Sequence, residues 1–92
     1  MTVTYLMLAR LPAGGLGAFD AYESTVLPLL AEYGGRLQRR LRTLDDQVEA
    51  HLITFPSNDD LAAYRADPRR SAAAPLLELS GATVELLAVR DV

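Results

Sequence analysis

One histidine and one cluster of arginines are the residues of this chain best suited to chemistry. His51 is the only histidine in the sequence. It is also the only side chain whose unperturbed pKa lies near neutrality, which makes it the natural general acid or base. It interrupts an apolar run, VEAHLITF, Val48 to Phe55. Glu85 interrupts a second such run, ATVELLAVRDV. By alternation His51 shares a side with Ile53 and Phe55, and Glu85 with Leu87 and Val89. If both lie on a sheet face turned away from the helices, they line one cavity. His51 is then the catalytic base, and Glu85 orients or charge-balances it. The alternative is a hydrogen-bonded structural histidine and an edge-exposed glutamate.

The arginines stand in YGGRLQRRLR, Tyr33 to Arg42, where Arg36, Arg39, Arg40 and Arg42 fall within seven residues. On an edge strand, charges deter sheet-to-sheet aggregation, and arginine stems cover apolar surface while their heads stay wet. Arg40, or Arg36 beside it, could instead grip a substrate carboxylate at a cavity mouth. Nucleic acid is the least favoured partner, because the formal net charge is -3 and no aromatic residues are interleaved with these arginines. Tyr22 and Tyr64 fall on the two predicted helices. They are the substrate-binding candidates on the cleft walls, with ordinary core packing as the alternative.

Other patterns have plain explanations. Asp59-Asp60 is an acidic helix start. A single histidine and scattered carboxylates give no metal-ligand spacing. PAGGLG lacks the ending of a phosphate loop and fits a strand-to-helix turn. The chain has nine arginines, no lysine and no cysteine. Schiff-base chemistry, disulfides and thiolate nucleophiles are therefore excluded for this chain. No cofactor is implied. No apolar run approaches the ~20 residues of a membrane span. The N-terminus has no basic region before an alternating stretch, so no signal peptide is expected, and a cytoplasmic location fits.

The elements that must carry these residues follow from periodicity. TVTYLMLARL alternates and reads as a strand. From about Leu16 to Tyr33 the apolar positions Phe19, Tyr22, Val26, Leu29, Leu30 and Tyr33 recur at helical spacing. Pro28 should bend that helix, and Gly34 or Gly35 should end it. RLQRRLRTL predicts a second strand, with Leu37 and Leu41 on one side and Arg36, Gln38, Arg40 and Arg42 on the other. A turn at Asp45-Asp46 joins it to a third strand, Val48 to Phe55. Ser57, three residues before Asp60, predicts a helix cap. That helix stops near Asp67-Pro68, resumes, and ends at Gly81 before a last strand. The order β-α-β-β-α-β predicts an α+β, ferredoxin-like fold over residues 1–92 as a single domain. It has a four-stranded antiparallel sheet with two helices on one face.

Both faces of the sheet are apolar. Val3, Tyr5, Met7 and Ala9 oppose Leu6 and Leu8; Ile53 and Phe55 oppose Ala50 and Leu52; Val84, Leu86 and Ala88 oppose Leu87 and Val89. Two helices cover only one face, and an antiparallel sheet with one wet face should alternate cleanly. The second face therefore needs a cover from outside the chain, and the simplest is the same sheet of a second copy. A two-fold homodimer is expected.

Together FDAYESTVLPLLAEYGGRL, ITFPSNDDLAAYRADP and the terminal VRDV resemble small members of the dimeric α/β-barrel superfamily. That group includes antibiotic-biosynthesis monooxygenases and EthD-like and NIPSNAP-like proteins. The resemblance spans nearly the whole chain. It implies a ferredoxin-like protomer and a dimeric barrel that binds small hydrophobic or aromatic molecules between sheet and helices. In some members those molecules are oxidised without metal or flavin. The sequence departs from the haem-binding and monooxygenase patterns in having no tryptophan. The reading is a homodimer that binds a small apolar or carboxylated molecule, with cofactor-free acid/base or monooxygenase-type chemistry. The alternative is a non-enzymatic regulatory or assembly module whose sheet interface is packed solid.

Overall fold

The computed structural model describes residues 2–92. Strand β1 spans Val3–Arg10 and helix α1 Leu16–Val26. At Leu27 the helix tightens into a 3₁₀ segment, Leu27–Tyr33, with Pro28 in its first turn. Proline has no N–H to give the α-helical ladder, so the backbone changes gear where Pro28 stands. The segment ends at Gly34, whose φ of 71° is left-handed. Gly35 follows because a Cβ there would lie 2.7 Å from the Phe55 ring.

Strands β2, Arg36–Arg42, and β3, Val48–Phe55, form the expected hairpin. Helix α2, Asn58–Arg65, starts at Ser57, whose hydroxyl accepts from the Asp60 N–H at 3.2 Å. Asp67 caps helix α3, Pro68–Ser80, by accepting from the Arg69 N–H at 2.8 Å. The crossover is thus two helices broken at Asp67-Pro68, where the sequence places the stop. Strand β4, Thr83–Val89, closes the sheet.

The sheet order is β2-β3-β1-β4, and every pairing is antiparallel. β2 and β4 are the edges. The helices cover the face carrying Met7, Ala9, Ile53 and Phe55. These four pack with Phe19, Leu29, Leu30 and Tyr64 as the core. The other face carries Leu6, Leu8, Leu52, Leu87 and Val89, and among the described residues no element crosses it.

One expectation about β2 is corrected. Leu37 pairs with Ile53 and lies under the helices, but Leu41 pairs with Ala50 and lies on the open face. The register shifts between Leu37 and Arg39 because Gln38 is an extra residue, a bulge. A bulge reverses side-chain parity beyond it. Arg40, paired with His51, and Arg42, paired with Glu49, therefore turn toward the helices.

Candidate functional site

A cavity of about 130 Å³ lies between the helix-bearing face of the sheet and the helices. Its apolar wall includes Met7, Val26, Ile53, Phe55, Leu77 and Leu86, and its polar groups are Tyr5, Tyr22, Glu23, His51, Tyr64, Arg65 and Arg70. Tyr22 arrives from α1, Tyr64 from α2 and Arg70 from α3, so each helix contributes to one site.

His51 is in this cavity, under the helices. The expected pairing with Glu85 is overturned. Glu85 pairs across the sheet with Leu8 and lies on the open face, where it makes an exposed ion pair with Arg10. Alternation explains the separation. His51 shares parity with Ile53 and Phe55, which are buried beneath helices, whereas Glu85 shares parity with Leu87 and Val89, which are exposed.

The carboxylate that holds His51 is Glu49, two residues earlier on the same strand face. Glu49 Oε2 lies 2.5 Å from His51 Nε2. Glu49 is 0% exposed and also receives Arg40 Nε at 3.0 Å and Arg42 Nε at 2.7 Å. A buried carboxylate requires such partners. Its carboxyl is lowered from the usual value: burial pushes it up, and hydrogen bonds from His51, Arg42 and Arg40 outweigh that push. His51 is lowered too. Burial is the largest cause, opposed by Glu49 and reinforced by the charges of Arg40 and Arg42. The imidazole is therefore neutral at pH 7. With Nε2–H donating to Glu49, Nδ1 is the nitrogen left to accept a proton.

Arg40 is not at the cavity mouth, and its expected role as anion anchor is corrected. Its guanidinium is engaged by Glu49 and, at 3.4 Å, by Asp20. With Arg42, Asp20 and Glu49 it lines a separate groove behind the histidine. Tyr22 and Tyr64 are at the cavity. Tyr64 donates to the Val26 carbonyl at 3.1 Å, and burial pushes its phenol up to about 12. Tyr22 Oη accepts from Arg70 Nη2 at 3.0 Å.

Three groups were not singled out from the sequence. Glu49 shares parity with His51, so alternation could have found it. Glu23 stands four residues after Phe19 and three before Val26, on the apolar stripe of α1. It is 4% exposed, and its carboxyl is raised to about 7, mainly by burial and then by the nearby charge of Glu49. An acidic residue on an apolar stripe was the available signal. Arg70 carried none, because only tertiary packing brings α3 to the cavity.

No protein-family model matches the chain, and no curated protein matches it. Solved structures do. Rv0793 from Mycobacterium tuberculosis superposes with a TM-score of 0.74 at 21% identity, covering 99% of this chain and 97% of that one. SnoaB, a cofactor-independent oxygenase from Streptomyces nogalater, gives 0.75 at 19% identity, covering 99% and 95%. A NIPSNAP family protein from Agrobacterium tumefaciens gives 0.69 at 19%, covering 99% and 95%. This chain has their ferredoxin-like fold. The resemblance read from the sequence is matched at that level, and end to end. No helix among the described residues is long and apolar enough to cross a membrane. Among the described residues no cluster of three or more histidines and carboxylates could hold a metal.

Proposed function

We propose that each protomer binds a small, largely apolar molecule in the cavity between sheet and helices, and that His51 removes a proton from it. The observation that carries this reading is the Glu49–His51 contact: a neutral imidazole at the cavity wall, its Nε2 fixed by a buried carboxylate. A carboxylate behind a histidine fixes the tautomer and stabilises the imidazolium once a proton is taken. Tyr22 and Tyr64 form the walls against which a flat molecule packs.

The reaction class this supports is cofactor-free oxidation of an activated C–H acid; SnoaB, which shares the fold, is a cofactor-independent oxygenase. A CH₂ group flanked by an electron-withdrawing system loses H⁺ to His51 Nδ1. The carbanion is oxidised by dioxygen and becomes a hydroperoxide on reprotonation. Loss of water leaves a ketone, so one CH₂ and one O₂ give one C=O and one H₂O. An apolar enclosure favours this chemistry by excluding bulk water.

In the same reading two copies pair through the open sheet faces. Leu41, Leu87 and Val89 are exposed there, and apolar side chains gathered on one face mark an interaction surface. The location is proposed as cytoplasmic, and no nucleic acid partner is proposed.

The test is oxygen consumption with anthrone and 1,3-indanedione, together with solvent-deuterium exchange at their acidic carbons followed by NMR. Catalysed exchange that falls at least 100-fold in His51→Ala supports the base, since general-base removal costs about 10²–10⁴. Full exchange in His51→Ala removes it. Exchange without oxygen uptake would reassign the chemistry to isomerisation. No binding and no exchange would leave a non-enzymatic module.

A further inference from the structure

We propose that Arg70 is the anion anchor of the cavity, and that the ligand is an apolar acid whose carboxylate pairs with the Arg70 guanidinium beside Tyr22. This rests on the cavity being a ligand site, and it names the ligand class.

The Nε of Arg70 is buried and has no hydrogen-bond partner. It is the only such side-chain atom among the described residues. Buried donors in folded proteins are nearly always satisfied, so this unpaired donor marks the Arg70 guanidinium as short of acceptors among the described residues. The remainder of the guanidinium is held in place. Nη2 donates to Tyr22 Oη at 3.0 Å, and the central carbon lies 4.6 Å from the centre of the Tyr64 ring. Stacking on an aromatic ring fixes the plane of the group without neutralising its charge.

The Arg70 charge acts through space on Glu23, but no carboxylate among the described residues bonds to it directly. Arg70 makes no ion pair among the described residues, whereas its neighbour Arg69 is engaged by Glu32 and Asp67. A guanidinium at the wall of a largely apolar cavity suits a carboxylate. The apolar wall then takes the body of the acid, and the tilted ring pair Phe55–Tyr64, 5.6 Å between centres, favours an aromatic body.

Glu23 makes the binding proton-linked. It faces the same cavity from α1. The charged or titratable groups around it are Arg70 on α3, Tyr64 and Arg65 on α2, His51 and Glu49 on β3, Tyr5 on β1, Arg40 on β2, and Tyr22 and Asp20 on its own helix. An anion set down beside Glu23 favours its protonated form. Binding therefore takes up a proton, and affinity falls as pH rises through neutrality, where Glu23 titrates.

The experiment is calorimetric titration of the full-length protein with 2-naphthoate and its neutral isostere 2-naphthamide, at pH 6 and pH 8. Naphthoate is expected to bind about tenfold tighter than naphthamide at pH 6, with that preference lost in Arg70→Gln and largely kept in Arg70→Lys. Its affinity is expected to drop several-fold from pH 6 to pH 8 in the wild type but not in Glu23→Gln. Equal affinity for the two probes in the wild type overturns the anchor and leaves the cavity reading standing. A naphthoate preference that survives Arg70→Gln also overturns it. Binding of neither probe overturns the anchor and the cavity reading together. A pH dependence unchanged in Glu23→Gln overturns the proton linkage.

Discussion

Glu49 stands between His51 and Arg42: one carboxylate oxygen lies 2.5 Å from the imidazole Nε2, the other 2.5 Å from an Arg42 terminal nitrogen. The arginines reach the groove behind the sheet edge, and the histidine reaches the cavity. The carboxylate joining them is wholly buried.

Removing that charge should be costly. Glu49→Gln leaves Arg40 and Arg42 facing a neutral buried group, and breaking a buried ion pair costs about 3–5 kcal/mol. The arginines are partly exposed, which places the expected loss at the lower end, about 3 kcal/mol. Glu85→Gln breaks only the exposed pair with Arg10, and should change stability by less than about 0.5 kcal/mol. Urea unfolding of both variants checks the contrast. Equal losses would mean that Glu49 is not the buried hub described.

The His51 ring should be neutral, protonated at Nε2, and hard to charge. Its folded pKa lies below the unfolded 6.5 because of burial. The unfolded chain then binds the extra proton first, so this histidine's contribution to stability is present above pH 6.5 and is lost as pH falls below it. As the only histidine, it gives a single set of imidazole signals in a ¹⁵N-correlated NMR titration. A midpoint at or above 6.5 would mean that Glu49 outweighs burial at this ring, and an Nδ1–H tautomer would contradict the Glu49 contact.

Glu23 should act with the opposite slope. Its carboxyl is raised from 4.5 to about 7, so the native state holds a proton that the unfolded chain has released. Between those values stability falls as pH rises, and above about 7 the full cost is present. At 1.36 kcal/mol per pH unit that cost is on the order of 3 kcal/mol. Glu23→Gln should therefore be more stable than the wild type at pH 8 and close to it at pH 5. Denaturant midpoints across that range measure the difference.

Leu87 should hold the protomers together. It is 42% exposed on the open sheet face, on the edge strand β4 beside Leu6, within the surface proposed to meet a second copy. Leu87→Arg is expected to shift the protein to monomer in sedimentation equilibrium while the helix content seen by circular dichroism is unchanged. A wild-type protein that sediments as a monomer would refute the pairing.

The sequence was most informative where period and chemistry agree. The alternation of β1 and β4, the helical stripe from Phe19 to Leu30, the Ser57 cap and the glycine ends of two helices all lie where the pattern puts them. Facing was harder. Where both sides of a strand are apolar, hydrophobicity does not say which side is covered, so His51 could be assigned to either. Its parity with Phe55 was informative only once the helices were seen to lie over Phe55. Glu23 was visible as a charge on an apolar stripe, whereas Arg70 reaches the cavity through the packing of α3 against α1. The turn of Arg40 and Arg42 depends on a bulge, and RLQRRLR carries no mark of one.

That bulge makes the identity of the histidine's supporting shell a matter of counting. Gln38 is the one residue by which β2 exceeds its partner. Were Gln38 paired in a regular ladder after Leu37 instead of bulging out, Leu41 would face the helices, and Arg40 and Arg42 would face away. Glu49 would then be buried with no cation, in a strand of unchanged composition. RLQRRLR thus holds two alternative walls for the site, and the bulge at Gln38 selects the charged one over the apolar one.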